Sequence, residues 1–226
     1  MVWLSLFTLL QAQDEADTLL DDRGAGAEAA PAEAAPAEAE AAADPHAATV
    51  AAAQSWRRAT LTTAIERLEG LRARVFGGDP IPEDDPTVVA VKRWLYTTKV
   101  DLATMTIVEP AIDNMKKNLK ATATVHAAPT PRVLTCTNGD ADWACTAGTT
   151  VQLNPKLLAP TARRDCQNAV LGHEYFHVAG LSDAPAGQPV TKDPTFAQTD
   201  PGHLIGLACE VALGRTDKSA CDFPCD

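Results

Sequence analysis

Residues 173–183 read HEYFHVAGLSD, and they are the most informative stretch of the chain. His173 and His177 are four residues apart, so on a helix their imidazoles project from one face and can bind one metal ion. Glu174 follows the first histidine directly, where a carboxylate can take a proton from a metal-activated water. This spacing is typical of hydrolytic zinc sites, so the stretch predicts a helix that binds zinc.

The surrounding sequence predicts a helix over 161–179. Pro160 and Thr161 are typical of a helix start, and Gly180 stands where a C-terminal cap is expected. Val170 lies at helical spacing from the histidines and so shares their face. The alternative interpretation is an ordinary amphipathic helix whose histidines are satisfied by hydrogen bonds.

The third zinc ligand has several candidates. Zinc suits two imidazoles, one carboxylate and a fourth position open to water. Asp183 is favoured, because it lies six residues after His177 and a glycine in between can turn the chain back. Glu210 on the next predicted helix is the alternative, either as a ligand or as an acceptor for a ligand histidine. Asp200 and His203 are the further candidates for the third ligand. His203 is otherwise expected to cap a helix or to polarise a substrate oxygen. One zinc ion is the expected cofactor.

The charge of the chain is unevenly spread. The net charge is −11 over 226 residues, but residues 1–53 carry ten acidic groups and one basic group. Residues 54–226 carry 20 acidic and 18 basic groups, so the expected folded domain is almost neutral. A nearly neutral domain offers no electrostatic basis for binding nucleic acid.

The first 53 residues are expected to lie outside the folded domain. An apolar run follows Met1 and is too short to span a bilayer, so residues 1–13 are predicted to be a secretory signal. Residues 14–53 are rich in Ala, Glu and Pro, include the repeat EAAPA, and are predicted to be a disordered spacer or pro-segment. A single metallopeptidase-like domain is predicted over 54–226.

The six cysteines favour an exported protein. All of them lie in the last 91 residues, and their spacing does not match paired C-x-x-C zinc units. Three disulfides in an oxidising compartment are therefore expected, which places the protein in the secreted, periplasmic or cell-envelope class. Cys136–Cys145 is expected to be one pair, and Cys166 is expected to join the C-terminal segment. Reduced, buried cysteines in a cytosolic protein are the alternative.

The pattern outside the motif predicts an α+β fold. An amphipathic helix of about twenty residues begins near Ser55, and a longer helix over 86–120 is expected to form a hairpin with it. Pro110 is expected to kink or divide the longer helix. Strands are predicted over 132–136 and 149–154, separated by a loop over 137–148. The second strand is either a candidate edge for an extended peptide or a plain structural strand. A C-terminal helix is predicted over 202–213.

The motif and the chain around it resemble known zinc peptidases. HEYFHVAGLSD fits the pattern His-Glu-x-x-His-x-x-Gly-x-x-Asp of snapalysin-type metzincins. Residues 55–213 as a whole resemble the aspzincins, the deuterolysin and peptidyl-lysine metalloendopeptidase group. In that group a helical half precedes a cysteine-bearing strand region, the metal helix and a Gly-Thr-x-Asp ligand motif. Residues 180–183, GLSD, are similar to that last motif.

The resemblance implies a zincin-like fold in which His173, His177 and Asp183 bind zinc and Glu174 is the general base. Two family features have no counterpart: no methionine follows Met115, and no tyrosine follows residue 175. The predicted function is a secreted zinc endopeptidase acting on proteins or peptides, without a stable membrane span. A zinc-binding homologue without catalysis, serving as a binding or envelope module, is the alternative. A third interpretation is a disulfide-linked structural domain without metal. Oligomeric state is not predicted.

Overall fold

The computed structural model describes residues 45–128, 143–183 and 194–214, together with Cys221 and Cys225. Over these residues the protein is α+β, as predicted, with helices and a small mixed sheet. The helices are α1 (Ala47–Gly77), α2 (Pro86–Trp94), α3 (Leu102–Lys120), α4 (Pro155–Leu158), α5 (Arg164–Val178), α6 (Pro194–Ala197) and α7 (Pro201–Leu213). The strands are β1 (Thr124–Ala127), β2 (Ala144–Ala147) and β3 (Thr150–Leu153).

Helix α1 begins earlier than the sequence pattern predicts. Residues 47–53, expected to belong to the spacer, form its first two turns, and Ala53 is buried. The reason is that this stretch is rich in alanine, the best helix former, and lies beyond the last proline of the spacer. The predicted signal over 1–13 and the remainder of the spacer lie outside the described residues.

The predicted long helix over 86–120 is two helices, and the division between them does not lie at Pro110. Helix α2 ends at Trp94, and α3 begins after Asp101 and continues through Pro110. The Asp101 side chain accepts a hydrogen bond from the Thr104 backbone N–H, and the Thr104 hydroxyl accepts one from the Asp101 backbone N–H. The two bonds make a capping box. This local start signal places the break between 94 and 102.

The sheet has the order β1-β3-β2, with β1 parallel and β2 antiparallel to β3. The predicted strand over 149–154 is confirmed as β3, but it is central, so it does not offer the expected free edge. The edge next to it is β2, in a stretch expected to be a loop. Gly148, with φ +60°, makes the tight turn that joins β2 to β3. The predicted strand over 132–136 lies outside the described residues.

Helix α5 lies between two parts of the hydrophobic core. Phe176 belongs to the cluster formed with α1, α2, α3 and α7, whereas Leu171 and Tyr175 belong to the cluster formed with the sheet. Gly172 allows the closest approach to α7, because a Cβ there would lie 2.6 Å from Ile205 Cδ1. The helix that carries the histidine motif is therefore fixed on several sides.

Disulfides join the last segment to the core helices. Cys166 in α5 is bonded to Cys225, as predicted, and Cys209 in α7 is bonded to Cys221. Cys145 is disulfide-bonded as well, and its expected partner Cys136 lies outside the described residues. In the parts of the chain that the structure describes, no helix has the length and apolar character needed to cross a membrane.

Candidate metal centre

The two histidines of the motif point to the same place. They lie one turn apart on α5, and their Nε2 atoms are 3.0 Å from each other. The Nδ1–H of His177 donates to the backbone carbonyl of Leu181 over 2.9 Å. A carbonyl only accepts, so this bond fixes the tautomer and leaves Nε2 of His177 with a lone pair for a metal.

Asp183 is brought to the histidines by the turn that ends α5. Gly180, with φ +91°, follows the helix, and the Leu181 N–H returns to the Phe176 carbonyl, as in a glycine-based cap. The Asp183 Oδ1 atom is 3.1 Å from His173 Nε2, and Oδ2 is 3.4 Å from His177 Nε2. The predicted helix end at Gly180 is confirmed, and this turn is what closes the group.

The electrostatics of this group reflect a carboxylate facing two imidazoles. Burial opposes the charged form of His177, but its hydrogen bonds to Asp183 and Leu181 and the charges of Asp183 and Glu174 prevail, raising its pKa to about 9. Hydrogen bonds from His173 and His177 hold the pKa of the Asp183 carboxyl well below its usual range. The negative charge of Asp183 therefore favours a cation at the histidine pair.

Glu174 is buried beside the histidines and is oriented by the sheet. Only 5% of its surface is exposed. The Thr146 hydroxyl on β2 donates to Glu174 Oε2 over 2.6 Å, and it also lies 3.3 Å from the Glu174 backbone carbonyl oxygen. The carboxylate of the expected general base therefore has a fixed direction, and the edge strand β2 runs directly beside it.

A buried polar network holds the turn of α5 that carries the motif. Arg57, 1% exposed, donates from Nη1 to the backbone carbonyl and the side-chain oxygen of Asn118 over 2.6 and 2.7 Å. Asn118 Nδ2 then donates to the Gly172 carbonyl over 3.0 Å, and the Arg57 guanidinium lies 3.7 Å above the Tyr175 ring. Desolvation lowers the pKa of Arg57 to about 10.

This network was not predicted from the sequence. The signal that could have revealed it is the position of Arg57, four residues before Leu61, on the apolar stripe of α1. A charged side chain in a buried stripe needs partners, and here those partners anchor α5.

The alternative ligand Glu210 is placed elsewhere. It is 2% exposed, accepts a hydrogen bond from Arg93 Nη1 over 2.6 Å, and also accepts from the indole N–H of Trp94. Its carboxylate is thus engaged between α7 and α2. The structure does not bring it to the histidine pair.

His203 and Asp200 form a second polar group at the start of α7. The Asp200 carboxylate caps this helix by accepting from the His203 backbone N–H, and its Oδ1 lies 2.9 Å from the His203 ring Nδ1. His203 Nε2 lies 2.7 Å from the Tyr96 hydroxyl, whose pKa is raised by burial and by the Asp200 charge. The capping residue is therefore Asp200. His203, which was expected to cap a helix, instead donates its backbone N–H to that cap, and its ring contacts Tyr96.

Within the described residues, His173, His177 and Asp183 are the group of at least three potential ligands whose donor atoms converge, all lying within 4.8 Å of one another. Two imidazole nitrogens and one carboxylate oxygen are the donor set that zinc prefers, so these residues fit a zinc ion. In comparisons with protein-family models, with curated proteins and with solved structures, nothing matches this chain.

Proposed function

We propose that the protein is a zinc-dependent endopeptidase of zincin-like fold. The observation that carries the proposal is the convergence of the His173, His177 and Asp183 donor atoms, with Glu174 directly after His173 on the same helix. Bound there, zinc would lower the pKa of a water molecule towards neutrality and polarise a scissile carbonyl.

The chain's own residues account for the proton transfers. Glu174 would take the proton of the attacking water and pass it to the leaving amine. The Thr146 hydroxyl keeps the carboxylate pointed in one direction, so less reorganisation is needed when the water binds. The bond from His177 Nδ1 to Leu181 keeps the ligand nitrogen facing the metal.

The substrate we propose is an extended peptide lying along β2. Asp183 has 56% of its side chain exposed, so the ligand group opens to solvent on one side. Within the described sheet β2 pairs with β3 alone, which leaves its other edge able to pair with a peptide backbone. Because Thr146 on this strand touches Glu174, a peptide there would pass beside the proposed base.

The proposed location is outside the cytoplasm, in the secreted, periplasmic or cell-envelope class. The two disulfides described, Cys166–Cys225 and Cys209–Cys221, support it, because such bonds persist in oxidising compartments.

A metal-binding protein without catalysis is a second candidate, and the positions of the tyrosines favour it. The chain has two tyrosines. The Tyr175 hydroxyl accepts from Gln54, and the Tyr96 hydroxyl bonds to His203. Each hydroxyl is therefore engaged elsewhere than at the ligand group, and an oxyanion would depend on the metal for stabilisation.

Zinc content and peptide cleavage together test the proposal. We expect about one zinc per chain in the wild-type protein and hydrolysis of a peptide library. Glu174→Gln should keep the zinc and lose at least about 100-fold in cleavage rate, because general acid–base catalysis contributes about that much. Unchanged cleavage by this variant contradicts the assigned base. Zinc without any cleavage supports the second candidate, and protein without zinc contradicts both.

A further inference from the structure

The histidine face of α5 continues upstream of His173 as an apolar surface. Val170 and Cys166 precede His173 by three and seven residues. With successive residues turned by about 100°, both lie within about 60° of His173 around the helix axis. Val170 is half-buried, and Cys166 is bonded to Cys225, which is half-buried as well. The surface next to the candidate metal centre on this side therefore consists of a valine and a disulfide.

Strand β2 runs beside α5 from the first turn of that helix towards the histidines. Its first residue, Ala144, pairs with the last residue of β3, and α4 follows β3 almost directly. The Leu157 carbonyl of α4 accepts a hydrogen bond from the Gln167 side chain in the first turn of α5 over 2.7 Å. Towards the other end of the strand, Thr146 contacts Glu174. The start of β2 therefore lies on the upstream side of the candidate metal centre.

Ala144 and Val170 lie at the same level along this cleft. Ala144 precedes Thr146 by two strand residues, about 7 Å, and Val170 precedes Glu174 by four helix residues, about 6 Å. Ala144, Val170 and Cys225 are partly buried and pack against one cluster of buried apolar residues. Their side chains offer carbon and sulfur atoms, which favour an apolar neighbour over a charged one.

A peptide along the outer edge of β2 would place one of its side chains here, and this step rests on the function proposed above. Antiparallel pairing is the more stable kind, so the peptide runs opposite to β2, from Thr146 towards Ala144. The residue after the scissile bond then comes next to Val170. We propose that Val170, Ala144 and the Cys166–Cys225 disulfide form an apolar subsite that selects an apolar side chain in this residue of the substrate.

Blocked peptides that differ only in the residue after the scissile bond test the subsite, with mass spectrometry to locate the cut. Leucine there should give a kcat/KM at least about tenfold above lysine or aspartate, because an apolar side chain gains from burial and a charged one loses. Val170→Ala should raise the ratio of kcat/KM for phenylalanine over alanine peptides about tenfold, and Val170→Phe should lower it about tenfold, because the two changes enlarge and fill the subsite. Val178→Ala is the matched control, since Val178 is a half-buried valine of α5 that packs on the same cluster two turns downstream.

The ratios separate the subsite from a general effect on folding or on zinc. Cleavage without a preference for apolar residues, or equal ratios in Val170→Ala and Val178→Ala, would overturn the subsite and leave the endopeptidase proposal standing. If Val170→Phe does not fold, the two alanine variants still decide. If the protein binds zinc and cleaves none of the peptides, the proposed function fails. Fluorescence anisotropy with labelled peptides of the same set then tests the subsite, and equal affinities for leucine and lysine peptides, or no binding, would overturn it.

Discussion

At the scale of single residues, the candidate metal centre depends on side chains that differ in how they are held. His177 is fixed by the Leu181 carbonyl, and Glu174 is fixed by Thr146. Asp183 lies on the exposed turn after the helix and contacts both histidines. Among the three candidate ligands, Asp183 is therefore the most exposed to solvent.

Replacement of Asp183 tests whether it is the third ligand. Asp183→Asn keeps the shape of the side chain and removes its charge, so zinc affinity should fall by more than about 100-fold, because even outer contacts of a metal site cost 10–100-fold. Asp200→Asn is the matched control, since asparagine also caps helices well and Asp200 caps α7. Competition with a chromogenic chelator measures both affinities, and equal affinities would remove Asp183 from the ligand set.

Thr146 should affect catalysis without affecting zinc. Thr146→Val keeps the volume of the side chain and removes the hydrogen bond to Glu174, so peptide cleavage should fall roughly tenfold while the zinc content stays at the wild-type value. Thr124→Val on β1 is the control, because Thr124 is an exposed strand threonine. A drop in cleavage shared by both variants would point to a general effect on the sheet and would contradict a specific role for Thr146.

At the scale of elements, α5 is the central piece of the fold. One side packs on the helical core and another on the sheet, while the buried pair Arg57 and Asn118 holds its backbone at Gly172. The next residue after that carbonyl is His173. The helix that carries two of the candidate ligands is thus positioned by α1 and α3, which hold none of the candidate ligands themselves.

The Arg57–Asn118 network is expected to contribute to the free energy of unfolding. Asn118→Leu removes the side-chain acceptor of the buried guanidinium and the donor to the Gly172 carbonyl, leaving Arg57 only the backbone carbonyl of residue 118, and should lower the free energy of unfolding by about 3 kcal/mol. Adding Arg57→Met removes the buried charge that has lost its side-chain partner, so the double variant should be more stable than Asn118→Leu alone. Urea unfolding followed by circular dichroism measures the difference. A double variant that is less stable than the single one would show that the arginine does not depend on Asn118.

At the scale of the whole molecule, two disulfides connect the C-terminal segment to α5 and α7. The Cys166–Cys225 bond spans 59 residues along the chain, and it ties the helix of the candidate metal centre to the last residues. A cross-link of this length restricts the unfolded chain strongly, which is the main source of its stabilising effect.

Loss of that bond should destabilise the protein as a whole. Cys166→Ser together with Cys225→Ser should lower the free energy of unfolding by about 4 kcal/mol, by the loop-entropy relation for a loop of this size. The shorter Cys209–Cys221 loop, removed in the same way, should cost less. Urea unfolding at equilibrium compares the two variants, and a larger loss from the shorter loop would contradict the entropic explanation.

The sequence alone determined what depends on neighbours along the chain. The spacing of His173 and His177 is a property of one helix, and the glycine that ends α5 is only three residues beyond them. Asp183 was predicted from the same local stretch. The α+β class, the strand that became β3 and the C-terminal helix followed from periodicity and end signals. The break between α2 and α3 was missed, because a single capping box outweighed a continuous apolar pattern.

Only the tertiary structure decided what depends on residues far apart in the chain. It paired Glu210 with Arg93 and not with the histidines, placed Thr146 against Glu174, and made β2 an edge of the sheet that the described residues form. Each of these results depends on which groups, distant along the chain, become neighbours when the core packs. A periodicity shows that a side chain is buried, but it does not show what lies opposite, and so the surroundings of the motif emerged only with the fold.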